Sequence, residues 1–285
     1  MSCEGTPPHF PRRGRRGPWN KVLVRKNGEE RVMNEHREHR MVPPKTDTSS
    51  KGPDAIEKKD PYFNAGKLKS LDNQYVLYID VMGMKTTMYR SFERSAIFMG
   101  KLHVVLVEVS EQVQGVSVYP VMDGAYVTAR QYGQISEFIK ILYTRLGRVF
   151  VETKNLAECF IVRAGLAYGP IVTGDSIGEE VSPVLNEKAD YKKHLLFGFP
   201  VVLAAIGEES APPFGVYLDV TVRTAAGTNL AGIWFKWCSD PLLRSSMGNQ
   251  MENYYKYAES HSEELKYDEK KIEEHKRKAV QFWGR

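Results

Sequence analysis

Two aspartates carry the chemistry this sequence can be expected to do. Asp80 follows the apolar run Tyr75-Val76-Leu77-Tyr78-Ile79, and Asp123 sits in Met122-Asp123-Gly124 between two short strand-forming stretches. A carboxylate at the end of a buried strand is costly unless it meets a cation. A converging pair of such groups suits hard divalent cations, which lie about 3.5–4 Å apart in sites of phosphoryl transfer. Each aspartate also has a plain structural use, Asp80 as a helix cap and Asp123 as a turn residue. It is their joint placement that favours a metal pair. Between them, Val81-Met82-Gly83-Met84-Lys85 forms a tight turn into a helix, where backbone N–H groups can seat phosphate oxygens and Lys85 can reach them.

The elements that must position these residues follow from periodicity. Residues 75–79 read as a buried strand. Residues 86–112 place Phe92, Ala96, Met99, Leu102, Val105, Leu106 and Val109 on one helix face. Residues 116–119 and 125–128 form a hairpin with Asp-Gly at its turn. Ile135, Phe138, Ile139, Leu142 and Leu146 mark a second helix, and Phe160-Ile161-Val162 opens the next strand. The order strand, helix, two strands, helix, strand is the split ferredoxin-like arrangement. In such a sheet the first strand lies beside the hairpin, so Asp80 and Asp123 should converge. A helical piece over residues 200–208 and strands over 216–220 and 233–237 complete the expected domain. Residues 249–283 read as a charged surface or dimer-edge helix. The fold class is therefore α+β, a βαββαβ core with extra strands, divided as a disordered basic arm (1–60), a domain (61–245) and a C-terminal helical extension (246–285).

The net positive charge is confined to the arm. Residues 1–60 hold fourteen Lys and Arg against nine Asp and Glu, which accounts for the whole net charge of +5. The Arg12-Arg13-Gly14-Arg15-Arg16 cluster reads as part of a solvated tail, so no nucleic-acid partner is expected. No apolar run approaches the roughly 20 residues of a membrane span, and the N-terminus lacks the pattern of a secretory signal. A cytoplasmic protein is expected, with no membrane partner. Cys3, Cys159 and Cys238 have unrelated spacings that suggest neither zinc nor a redox pair.

The segments Tyr78-Ile79-Asp80-Val81-Met82-Gly83-Met84 and Met122-Asp123-Gly124-Ala125-Tyr126-Val127 resemble the two metal motifs of class III adenylate and guanylate cyclases. The stretch from Val162-Arg163-Ala164-Gly165 through Gly169-Pro170-Ile171-Val172 resembles that family's Arg-x-Gly-Ile-x-x-Gly-Pro-Val motif, in the same order along the chain. The resemblance implies two divalent cations (Mn2+ or Mg2+) on Asp80, Asp123 and the backbone carbonyl of Val81, with Met82, Gly83 and Met84 against the triphosphate. It implies attack of the ribose 3′-hydroxyl on the α-phosphorus with loss of pyrophosphate, and a homodimer whose active sites are shared between subunits.

The departures matter equally. Val202 and Ile206 stand where the family has a ribose-orienting Asn and a phosphate-binding Arg, so Arg163, Lys236 and Lys85 become candidate replacements. Tyr119 and Leu195 stand at the base-reading positions, where adenylate cyclases have Lys and Asp. This pattern is similar to that of the bacterial Pycsar pyrimidine cyclases, which have a tyrosine at the position of Tyr119. It implies UTP as substrate with CTP as the second choice, and a cyclic product acting on a separate effector in antiphage defence. The alternatives are a divergent adenylate cyclase and a catalytically dead nucleotide-binding module.

Overall fold

In the computed structural model, residues 22–26, 29–33, 61–69, 71–226, 232–265 and 267–284 are described; for the first two segments and for residues 85 and 86 this covers the backbone alone. The chain divides into two units at Lys59/Asp60. In the first, β1 (Val22–Lys26) and β2 (Glu29–Met33) pair antiparallel. The rest of the expected arm lies outside the described residues.

The second unit is built around β3 (Asp72–Val81), the apolar run of the sequence. It leads into α1 (Met84–Arg90) and α2 (Phe92–Gln112), then the hairpin of β4 (Val116–Val121) and β5 (Gly124–Ala129). Next come α3 (Tyr132–Glu152) and the long β6 (Val162–Thr173). The sheet order is β4-β5-β3-β6 with antiparallel neighbours, which is the expected split ferredoxin-like α+β core. After α4 (Pro183–Glu187) and α5 (Ala189–Lys192), β7 (Leu196–Gly198) extends the sheet beside the end of β6. Then α6 (Phe199–Ser210) leads to β8 (Val216–Leu218), which pairs parallel with β6.

Both faces of β3 are covered, which is why its sequence is continuously apolar rather than alternating. Tyr75, Leu77, Ile79 and Val81 join the main core with α2 and α3, whereas Val76 packs with Ala167, Ile171 and Ala204 under α6. Asp80, on the same side as Val76 by the period of two, therefore belongs to the face that α6 partly covers. At Gly165 a Cβ would meet the Ala204 carbonyl oxygen at 2.1 Å and the Glu208 nitrogen at 2.6 Å, so only glycine lets α6 lie this close to β6.

Several expectations are corrected. The helix over 86–112 is two helices, because Ser91, extended at φ −147°, caps α2 by accepting from the Arg94 N–H; Phe92 is consequently exposed. The strand expected over 216–220 stops at Leu218. Asp219 accepts from the Thr221 N–H and starts α7 (Val220–Ala225). Residues 233–237 form no strand beyond a single bridge between Trp234 and Tyr217.

The C-terminal stretch is not one surface helix. It folds into α8 (Pro241–Ser260), α9 (Ser262–Leu265) and α10 (Glu269–Trp283). Leu243, Met247, Met251, Tyr255 and Ala258 of α8 and Ile272, Ala279, Phe282 and Trp283 of α10 are buried in the main core, with α8 lying against α3. Gln250 fastens this join, donating to the carbonyls of Phe150 (3.3 Å) and Thr153 (3.0 Å). Beside it the Cys159 thiol is buried and pushed up to about 11, chiefly by burial.

Candidate active site

The hairpin tip and the end of β3 are held together by backbone. The Val81 N–H donates to the Asp123 carbonyl at 3.2 Å, and Asp80 lies opposite Gly124 in the register. A Cβ on Gly124 would fall 2.1 Å from the Ile79 carbonyl oxygen and 3.2 Å from the Asp80 Cα. The glycine of Asp-Gly is therefore needed for close approach; its φ is not positive, contrary to the turn role read from sequence. The first two expected site residues, Asp80 and Asp123, are brought together as anticipated.

Asp80 is in an unusual state for a carboxylate. Its Oδ1 is buried and has no hydrogen-bond partner. Its pKa is pushed up to about 7 by burial first, then by the charges of Asp123 and Glu208, against the opposing pull of Arg163 and the Val81 N–H. Three carboxylates and one guanidinium thus meet at this end of the sheet. A buried anionic oxygen without a partner, amid surplus negative charge, fits a divalent cation. Such a cation would rest on two carboxylates plus backbone oxygen, since no cluster of three or more His, Cys, Asp or Glu in ligand geometry occurs among the described residues. Val81 can contribute only its backbone, because its side chain is buried in the main core.

Glu208 is the member of the cluster that sequence reasoning missed. It is 5% exposed on α6, its carboxyl raised by burial, and its Oε1 lies 2.7 Å from Arg163 Nη2. The signal was its position four residues after Ala204, which faces the sheet; the neighbouring Glu209 made it read as the polar end of a helix.

The turn after Asp80 is as expected in part. Gly83 has φ +77°, a left-handed conformation that favours glycine. The Met82 N–H, however, is already donated to the Ile161 carbonyl at 2.8 Å, and the Met84 side chain is buried in the core. These two leave little of the expected phosphate seat. The side chain of Lys85 lies outside the described residues.

The other two candidate cations are engaged elsewhere. Arg163 is held by Glu208 and by the Glu209 carbonyl, to which Nη1 donates at 3.4 Å. Lys236 follows the segment bridged to β8, beyond β6 from Asp80, and its Nζ donates to the Phe282 carbonyl at 2.7 Å while lying 4.1 Å from the centre of that ring. It serves the docking of α10 and is not brought to Asp80. Val202 and Ile206, with Phe199, form an exposed apolar stripe on α6, at 54%, 60% and 68% exposure.

Tyr119 stands on the same sheet face as Asp80, two strands away, opposite Tyr126 and through it Tyr78. It lines a cleft of about 640 Å³ with Gln74, Ser117, Thr128, Arg130 and Asp175. Its phenol is raised by burial and then by Asp175, against a hydrogen bond with the Thr128 side chain. Leu195 does not join it. It packs in a satellite cluster with Val172, Ile177 and Val181, and its carbonyl accepts from the Gly174 N–H at 3.1 Å.

No protein-family model and no curated protein sequence matches the chain. Among solved structures, the chain is similar to the guanylyl cyclase domain of the RhoGC fusion protein from the aquatic fungus Blastocladiella emersonii, at 15% identity over 55% of this chain and 86% of that one, with a TM-score of 0.41. It is similar to the guanylate cyclase domain of RhGC from Catenaria anguillulae in complex with GTP, at 14% identity, 56% and 84% coverage and a TM-score of 0.42. A third similarity is to an adenylate/guanylate cyclase/hydrolase from Silicibacter pomeroyi, at 16% identity, 57% and 84% coverage and a TM-score of 0.43.

Proposed function

We propose that this protein is a nucleotidyl cyclase that converts a pyrimidine nucleoside triphosphate, UTP in preference to CTP, to its 3′,5′-cyclic monophosphate and pyrophosphate. The observation that carries it is the buried Asp80 carboxylate, whose Oδ1 lacks a hydrogen-bond partner, beside Asp123 at the hairpin tip, within motifs that resemble those of class III cyclases. Divalent cations at this point would lower the pKa of the 3′-hydroxyl and neutralise charge on the leaving pyrophosphate. The protein's own part is positional: Asp80 and Asp123 supply the carboxylates, while the hairpin fixes their separation through the bond from Val81 to Asp123.

Base selection falls to the Tyr119 cleft. Its polar lining includes hydroxyls of Ser117 and Thr128, and the ring of Tyr119 narrows it, which suits a small base with a carbonyl edge. Leu195 lies outside this cleft within one chain. Because the cleft and the carboxylates are two strands apart in one chain, a second copy completing each site is the economical arrangement. The exposed stripe of Phe199, Val202 and Ile206 on α6 supports a homodimer. The product would act on a separate cyclic-nucleotide-binding effector, in the manner of antiphage signalling.

Incubation of the purified protein with an equimolar mixture of the four triphosphates and Mn2+ should yield cyclic UMP as the main product. Cyclic AMP as the main product would replace the pyrimidine reading with a divergent adenylate cyclase. A second reading, a catalytically inactive nucleotide-binding module, is favoured by the apolar Val202 and Ile206 and by the engagement of Arg163 with Glu208; nucleotide binding with no cyclic product would select it.

A further inference from the structure

Asp80 and Arg163 face each other directly across β3 and β6, on the side that α6 covers. Opposite charges in that relation ordinarily pair. Here the guanidinium turns to α6 instead, with Nη2 forming an ion pair 2.7 Å from Glu208 Oε1 and Nη1 donating to the Glu209 carbonyl at 3.4 Å; Asp80 Oδ1 is left buried without a hydrogen bond, as are Glu208 Oε1 and Arg163 Nε, which meet no directed partner. The backbone puts Glu208 in place. Gly165, two residues along β6 from Arg163, lets the Glu208 nitrogen come within 2.6 Å of where a Cβ would be. Glu208 is then sealed in at 5% exposure.

We propose that Glu208 is a positioning residue that withholds Arg163 from Asp80 and so keeps the Asp80 carboxylate open to a divalent cation. The inference rests on the reading of Asp80 and Asp123 as the cation-binding pair. A guanidinium stays charged under all ordinary conditions and takes a carboxylate in a two-pronged grip. Once on Asp80 it would fill the acceptor positions a cation needs. Only a stronger buried competitor prevents this, and Glu208 is that competitor. Neutralising Glu208 turns Arg163 from a bystander into an internal inhibitor.

Mn2+ binding to the full, metal-free chain by calorimetry tests this, with Glu208→Gln alone and together with Arg163→Met. Glu208→Gln should weaken binding by about tenfold or more, the scale of a close charge pair. Adding Arg163→Met should bring it back to within about threefold of the wild type. A residue that only braced α6 against β6 would give no such recovery. Wild-type affinity in Glu208→Gln overturns the inference, as does a double variant that melts cooperatively yet binds as weakly as the single one. If Glu208→Gln fails to melt cooperatively, Glu208→Asp takes its place: intermediate affinity is expected, and wild-type affinity overturns the proposal. A wild-type chain that binds no Mn2+ removes the cation reading itself, which is distinct from a wild type that binds and a Glu208→Gln variant that binds equally well.

Discussion

Around Asp80 the sheet face carries charge that is buried and unmatched, with three carboxylates sharing one guanidinium and an oxygen lacking any hydrogen bond. Around Tyr119, two strands away on the same face, the polar groups line a cleft of about 640 Å³ and the phenol is bonded to Thr128. The first region leaves negative charge in excess at a fixed point, where a proton or a cation can relieve it. The second is an open cleft with a polar lining, suited to choosing among ligands by shape and hydrogen bonding. On the proposed reading, reaction and selection are separated along one sheet.

The largest effect should come from removing charge at the first end. Asp80→Asn and Asp123→Asn are expected to lower cyclic-nucleotide production by about a hundredfold to a thousandfold or more while leaving the circular dichroism spectrum unchanged. Near wild-type turnover at saturating Mn2+ in either variant would erase the distinction between the two ends. Next in size, Arg163→Met should destabilise the protein by about 3–5 kcal/mol in chemical denaturation, since it leaves the buried Glu208 without its partner. A loss no larger than that of an exposed ion pair would mean this end is wetter than the burial of Glu208 implies.

The same region makes a pH prediction. The Asp80 carboxyl titrates at about 7 in the folded chain against an ordinary 3.8, so the folded state holds this proton more tightly than the unfolded chain. Its charge therefore costs no stability below the ordinary value, and an increasing amount as pH rises through the window up to about 7. In metal-free buffer Asp80→Asn should melt above the wild type at pH 8 and level with it at pH 4, and saturating Mn2+ should close the gap at pH 8. The smallest effect belongs to the Tyr119 end. Tyr119→Phe removes one hydrogen bond of about 1 kcal/mol, and should blur the preference among triphosphates by several-fold with little change in melting temperature. An unchanged product profile would assign the sorting to the ring.

Much of the scaffold was legible because burial on two faces leaves an unmistakable record. The run from Tyr75 to Ile79 could only be an inner strand, and Ile135, Phe138, Ile139, Leu142 and Leu146 all face the core as their spacing predicted. The two aspartates could be paired from topology alone. What could not be read depended on contacts distant in sequence. Nothing local says that Glu208 turns inward while Glu209 does not; that follows from the close approach of α6 to Gly165. Lys236 read as a free cation because its partner, the Phe282 carbonyl, lies 46 residues further on. Leu195 was placed by analogy, and within one chain it packs into another cluster. The stripe of Met247, Met251, Tyr255 and Ala258 was present in the sequence but was masked by the charge around it.

The join between α3 and α8 gives the protein a built-in chemical timer. Cys159 is buried beneath Gln250 with its thiol pushed up to about 11. While the helix is docked, burial keeps this thiol protonated and shielded, and it becomes reactive only when solvent reaches it and that burial is lost. Alkylation of Cys159, resolved from Cys3 and Cys238 by peptide mass spectrometry, will therefore proceed at the rate and frequency with which α8 lifts from α3. The half-life of that single label, followed across conditions, reports how firmly the C-terminal helices are clasped without any need to unfold the rest of the molecule.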